Sequence, residues 1–255
     1  MEHEINLRQY HDDEGYFIKD YKIPFSICDK NHRITLANLY KITSDTAVED
    51  FAQKGYSWAM LNQNKVAILV SRTSFKIHKW PVADQCVTAK TWEEKPAGVQ
   101  LDRRHFITDS QTGELLVESC SYWMAVNIET RRIIPAKLFT LRPQPEISTP
   151  FAGTVPGKIQ IPENLTLAET RKVHYSDADG NGHVNNTRYG EYVMDVLPPE
   201  LQDKPIKEIR MNYAKETLVG NNLDIYINSE NQQAVTIVGK DNGEICFETV
   251  ISFYL

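Results

Sequence analysis

Six of the chain's twelve prolines crowd into residues 135–162: Pro135, Pro143, Pro145, Pro150, Pro156 and Pro162. Proline removes a ladder donor and fixes φ, so no central strand or long helix runs through such a stretch. It reads as an extended connector over residues 135–167, separating a first unit, 1–134, from a second, 168–255. This division constrains the fold more than any other feature, because the two flanking units read alike.

In the first unit a strand over Tyr16–Phe25 precedes a helix over Thr35–Gln53. The helix is marked by Leu36, Leu39, Tyr40, Thr43, Ala47, Val48 and Phe51 at three- and four-residue spacing, and Gly55 suits its end. Four β-rich runs follow: Val66–His78, Gln85–Glu94, Val99–Thr108 and Leu115–Asn127. The second unit repeats the order, with a strand over Thr170–Tyr175, a polar loop, and a helix over Val184–Leu197 stopped by Pro198-Pro199. Strands come next at Ile206–Glu216, Leu223–Ile227, Ala234–Gly239 and Glu244–Tyr254, with Asp241-Asn242-Gly243 as a tight turn. Strand, long helix, then a meander is an α+β pattern in which a curved sheet must wrap the helix to bury its stripe. Two copies imply internal duplication. Asp29-x-Asn31-His32 before the first helix faintly echoes Asp179-x-Asn181-x-His183 before the second.

Hydrophobic residues at 41% and charged residues at 24% are those of a folded globular chain. The start, MEHEINLRQYHDDEG, lacks a basic segment followed by an apolar run, and no window reaches membrane-span length. Cys28, Cys86, Cys120 and Cys246 have neither CxxC spacing nor a disulfide framework, so they read as free thiols of a reducing compartment and the protein as cytoplasmic. A net charge of -6 disfavours non-specific nucleic-acid binding. No nucleotide loop or metal cluster points to a cofactor.

The segment Asp177-Ala-Asp179-Gly-Asn181-Gly-His183-Val184-Asn185-Asn186-Thr187-Arg188-Tyr189 carries the chemistry. Asp177, Asp179, Asn181 and Gly182 match the first positions of a calcium loop, but Arg188 stands where a bidentate Glu is required. Two other readings remain from the residues alone. One is a polar helix cap. The other is a catalytic loop whose backbone N–H groups, near Val184–Asn185, hold an oxyanion.

Asp179-Gly-Asn181-Gly-His183-Val-Asn-Asn-Thr-Arg-Tyr189, followed by Tyr213-Ala-Lys-Glu216, resembles the fatty acyl-ACP thioesterases. The Leu-Pro-Pro-Glu after the second helix and the Thr-Arg-Arg after Met124-Ala-Val-Asn127 also look familial. The resemblance implies a double hotdog, two helix-in-sheet modules in one chain, with the second module catalytic and the first supplying the acyl pocket. It implies hydrolysis of fatty acyl-acyl carrier protein in fatty acid biosynthesis, with Asp179, Asn181, His183 and Glu216 as the catalytic set. Many members carry a cysteine after the glutamate; Thr217 stands here, which favours water as nucleophile.

On that reading Glu216 is the general base, since a carboxylate in a partly apolar cleft becomes a competent base. Asn181 orients water or holds the oxyanion, His183 bonds the water or carbonyl and later protonates the leaving sulfur, and Asp179 orients Asn181. Leu36, Leu39, Trp58, Met60, Leu61, Ile68 and Val70 are candidates for an acyl tunnel. Acyl carrier protein, itself acidic, needs a local basic patch, for which Arg103-Arg104, Arg131-Arg132, Arg171-Lys172 and Arg188 are candidates. The alternatives are an acyl-CoA thioesterase, a hotdog hydroxyacyl-thioester dehydratase and a non-enzymatic acyl-binding module. Exposed sheet edges leave room for a homodimer.

Overall fold

A computed structural model describes residues 7–96, 98–231 and 233–254; the acidic start Met1–Asn6 lies outside the described residues. The first half holds β1 (Gln9–His11), β2 (Phe17–Lys22), α1 (Leu36–Gln53), α2 (Trp58–Gln63), β3 (Val66–Ile77), β4 (Cys86–Glu93), β5 (Leu101–Asp109), β6 (Leu115–Asn127) and β7 (Arg132–Ile134). The second half holds β8 (Thr166–Lys172), α3 (Tyr189–Asp195), α4 (Pro199–Gln202), β9 (Ile206–Tyr213), β10 (Asn222–Asn228), β11 (Ala234–Asp241) and β12 (Glu244–Phe253).

All the strands join one antiparallel sheet in the order β1-β2-β4-β5-β6-β3-β9-β12-β11-β10-β8, with β7 hung on β6. The two halves meet at β3 and β9, paired from Arg72↔Asn212 to Lys76↔Glu208. This is the tandem α+β arrangement of a double hotdog, with the two curved sheets fused side by side. Alternation writes the inner face: along β5, residues Leu101, Arg103, His105 and Ile107 are buried and their neighbours less so.

Helix α1 forms where its pattern requires. Thr35 caps it, its hydroxyl accepting from the Asn38 N–H at 3.3 Å, and Gly55 ends it at φ +92°. Leu36, Leu39, Tyr40, Thr43 and Ala47 are buried toward the sheet. One apolar cluster runs from Ile23 through Leu39, Phe75, Tyr189 and Met211 to Phe253, so both halves share a core. The start of α1 packs closely on α3. A Cβ on Gly190 would meet the Ala37 backbone nitrogen at 2.9 Å, so only glycine permits this approach.

Three boundaries differ from the sequence expectation. The strand before the motif lies at Thr166–Lys172, and Tyr175–Asp177 form a 3-10 turn instead. The helix expected over Val184–Leu197 shrinks to α3, preceded by a 3-10 turn at Asn186–Arg188. The cause is competition for backbone groups: the Val184 N–H donates to Thr217 and the Asn185 N–H to Asp177, holding the motif extended. Strand β9 stops at Tyr213, leaving Glu216 on the loop beyond it. The short elements β1, α2, β7 and α4 gave no periodic signal long enough to read.

Candidate active site

The motif loop is tied by its own side chains. The Asp179 carboxylate accepts the Asn181 backbone N–H at 2.8 Å and approaches its side-chain amide at 3.4 Å. The Asp179 N–H reaches the His183 carbonyl at 2.8 Å, closing a tight loop in which Gly182 takes φ +82°. Just upstream, the Asp177 carboxylate accepts the His174 N–H at 2.8 Å and pairs with Arg188 at 3.0 Å. Burial alone would raise the pKa of Asp177, but these donors outweigh it and hold the carboxyl below its ordinary range.

The first half contains the same loop in its backbone bonds and its Asp–Asn turn. Asp29 accepts the Asn31 N–H at 2.8 Å, the Asp29 N–H reaches the Arg33 carbonyl at 2.7 Å, and His32 takes φ +61°. The bridge Cys28↔Ile34 matches Ala178↔Val184, and Arg33↔Val82 matches His183↔Leu218. The Ile34 N–H donates to Pro81 as the Val184 N–H donates to Thr217, both at 2.9 Å. The register therefore pairs Arg33 with His183, Trp80 with Glu216, and His32 with Gly182. The sequence echo holds at Asp29 and Asn31, which match Asp179 and Asn181, and not at the histidines, since His32 falls opposite Gly182. Duplication kept the Asp–Asn turn in both halves but the His–Glu combination in one. In the other, the Arg33 guanidinium lies 5.9 Å from the Trp80 ring.

His183 and Glu216 come together across the loop, Nε2 to Oε2 at 3.3 Å, with side chains 29% and 61% exposed. Glu216 thus stands in water rather than in the partly apolar cleft expected of it. Neighbouring Thr217 is fully buried and accepts the Tyr189 hydroxyl at 3.1 Å. Cys246 sits beside this strand end: its carbonyl accepts the Ala214 N–H at 2.8 Å. Its thiol is buried, and burial pushes it away from the reactive thiolate.

The expected oxyanion donors at Val184 and Asn185 are unavailable, since both N–H groups are already bonded to carbonyls at 2.9 Å. The Asn185 side chain is used too, accepting from the Thr187 N–H at 3.0 Å. Asn186 is the next backbone position, and it lines a cavity of about 280 Å³ together with Asp179 and Asn181.

That cavity runs between the loop and the first half, touching Tyr40, Thr43 and Ser44 of α1 and Ile68 and Val70 of β3. It shares Val48, Ile68, Leu69, Trp123 and Asn181 with a deeper cavity of about 350 Å³, walled by Ala47, Phe51, Leu61, Val66 and Leu101. Of the tunnel candidates, Trp58, Leu61, Ile68 and Val70 line these cavities. Leu39 is packed in the core, and Leu36 lines a separate cavity near Trp80. Leu101 and Trp123 of the strands and Phe51 of α1 were missed because periodicity does not say which inward residue faces a void, and Ile128 because it lies in the turn past β6.

The basic candidates separate cleanly. Arg103 is buried, its side chain 4% exposed, and pairs with Asp50. Arg104 pairs with Asp102 at 3.0 Å, Arg171 with Asp195 at 2.8 Å, and Arg188 with Asp177 and Glu191. Arg131 and Arg132 are exposed at the β6–β7 turn and make no ion pair among the described residues. No helix among the described residues is long and apolar enough to cross a membrane.

Residues 14–137 match the Acyl-ACP thioesterase N-terminal domain family, and residues 163–247 match the Acyl-ACP thioesterase C-terminal domain family. The chain is 25% identical to Oleoyl-acyl carrier protein thioesterase 2, chloroplastic, of Arabidopsis thaliana, over 87% of its own length and 64% of that protein's. It is 27% identical to Palmitoyl-acyl carrier protein thioesterase, chloroplastic, of Cuphea hookeriana, over 58% of its own length and 37% of that protein's. It therefore spans less than two thirds of these curated relatives. An acyl-ACP thioesterase from Bacteroides thetaiotaomicron superposes with TM-score 0.80 at 25% identity, covering 94% of this chain and 98% of that one. The 12:0-ACP thioesterase from Umbellularia californica shares the fold, with TM-score 0.78 at 15% identity, covering 94% of this chain and 97% of that one. Both halves match, the fold agrees along nearly the whole chain, and the chain belongs to the acyl-ACP thioesterase family.

Proposed function

We propose that this chain hydrolyses fatty acyl-acyl carrier protein to free fatty acid and acyl carrier protein, as a step of fatty acid biosynthesis in the cytoplasm. The observation that carries this reading is the joining of two parts. The His183–Glu216 pair, 3.3 Å apart, stands on the second half, while Asn181 of the same loop lines a largely apolar cavity of the first. The proposed division is a first module, 1–134, that holds the acyl chain, a connector, 135–167, and a second module, 168–255, that reacts.

Glu216, open to solvent, takes a proton from a water whose oxygen attacks the thioester carbonyl. The tetrahedral oxyanion is held by the Asn181 amide and the Asn186 N–H. His183 receives that proton from Glu216, 3.3 Å away, and gives it to the departing sulfur as the C–S bond breaks. Asp179 positions the Asn181 backbone and amide and takes no proton. A thiolate route is disfavoured by the buried thiol of Cys246 and by Thr217 in the position after Glu216.

Acyl carrier protein docks, on this reading, at Arg131 and Arg132, whose turn also carries Ile128 of the cavity rim. A homodimer through the terminal edge strand β8 belongs to the same reading. The test is initial rates on matched acyl-ACP and acyl-CoA over several chain lengths. Faster turnover of acyl-ACP is expected. Preference for acyl-CoA would keep the chemistry and change the carrier, and hydrolysis of neither would discard the hydrolase.

A further inference from the structure

The deeper cavity is apolar along most of its wall, as a hydrocarbon chain requires, yet Glu93, Arg103 and Tyr56 also line it. Charged residues are rarely buried unless paired, and these are paired incompletely. The Arg103 guanidinium donates through Nη1 to Asp50, a fully buried residue of α1. Its Nη2 lies 3.8 Å from Glu93 Oε2, beyond hydrogen-bond reach. The other Glu93 oxygen accepts from Arg142 of the connector. Among the described residues, no hydrogen bond reaches Glu93 Oε2, Arg103 Nη2 or the Tyr56 hydroxyl. Burial raises the Glu93 carboxyl against the pull of both arginines. An apolar cavity thus carries one spare acceptor, one spare donor and one hydroxyl. A ligand that is hydrocarbon throughout leaves all three unmatched.

We infer that this cavity takes a hydroxylated acyl chain, its hydroxyl donating to Glu93 and accepting from Arg103, with Glu93, Arg103 and Tyr56 setting the preference. A hydroxyl is the group that both donates and accepts, as the gap between a carboxylate and a guanidinium demands. A ketone only accepts and leaves Glu93 unmatched. A second carboxylate would face the like charge of Glu93, and the remaining cation of the cluster, Lys54, is held on Asp50 at 2.8 Å. The inference rests on the proposed function for the acyl nature of the ligand. A site built to bond a hydroxyl discriminates against the analogue that lacks it.

The experiment is calorimetric titration of the protein with dodecanoate and with hydroxydodecanoates carrying the hydroxyl at successive distal carbons. At least one hydroxylated isomer is expected to bind about tenfold tighter than dodecanoate, a conservative share of the discrimination such sites reach. Dodecanoate binding as tightly as every isomer overturns the inference. Tyr56→Phe and Glu93→Gln are expected to shrink the ratio, and an unchanged ratio in both overturns the assignment to these residues. The wild-type ratio decides even where a variant fails to fold. Titration needs no turnover. A hydroxyl preference without hydrolysis of any acyl-ACP would uphold the inference and discard the hydrolase reading. Hydrolysis of plain acyl-ACP with no preference would do the reverse.

Discussion

Glu216 and His183 occupy positions where the duplicated loop has Trp80 and Arg33, so the two halves differ most where a reaction would need them to. The Glu216 side chain is 61% exposed, so its replacement disturbs little packing and tests chemistry. Glu216→Gln should lower kcat on acyl-ACP by about 10²–10⁴-fold, the usual share of a general base, with an unchanged thermal midpoint. Retention of more than about a tenth of wild-type kcat would remove Glu216 from the base role. Asp29 and Asp179 offer a control, since each accepts an Asn N–H at 2.8 Å, and Asp29 also holds the Arg33 guanidinium at 3.0 Å. Asp179→Ala should cost roughly 1 kcal/mol of stability in denaturant titration, and Asp29→Ala more. Only Asp179→Ala should lower activity. Equal activity losses would show that the turn, rather than its place beside His183, is what matters.

At the scale of elements, the β6–β7 turn carries two adjacent exposed arginines, Arg131 and Arg132, that make no ion pair among the described residues. Reversing both to Glu should raise KM for acyl-ACP several-fold and leave small acyl thioesters unaffected, since steering acts on the charged carrier. The difference should shrink in high salt. Equal effects on both substrates would show that the turn does not dock the carrier. The long elements were legible in sequence: α1 by its helical period through Leu36, Leu39, Tyr40 and Thr43, and β6 as a long β-rich run, Leu115–Asn127. The motif helix was misread because apolar Val184 reads as its start, while its N–H is claimed by Thr217, thirty-odd residues away. No local pattern reports a bond of that range. The same limit hid Cys246 beside Ala214, and the pairing that puts Trp80 opposite Glu216.

For the molecule as a whole, the shared core and the continuous sheet make both halves respond together to acid. His105, buried on the inner face of β5, has its pKa lowered to about 3, chiefly by burial and then by Arg103. The unfolded chain takes up this proton near pH 6.5, while the folded chain refuses it until about pH 3. The stability tied to neutral His105 is therefore fully present above pH 6.5 and lost progressively as pH falls toward 3. By pH 5 the loss from this group is about 2 kcal/mol. The thermal midpoint should fall between pH 7 and pH 5, and His105→Gln should flatten that slope. An equal slope in the variant would place the acid sensitivity elsewhere. Asp109, held down to about 2 chiefly by the Gln85 side chain, adds a second loss at lower pH, between about 4 and 2.

The seam from Arg72↔Asn212 to Lys76↔Glu208 has an evolutionary consequence. When two identical subunits pair through such a sheet, every substitution appears twice, so a change that improves one site must be tolerated in the other. Covalent fusion breaks that obligation. Once both copies lie in one chain, a mutation can turn the partner of Glu216 into a tryptophan, or lengthen one helix and shorten its twin, without echo. Asymmetry of this kind is heritable only when both copies lie in one chain.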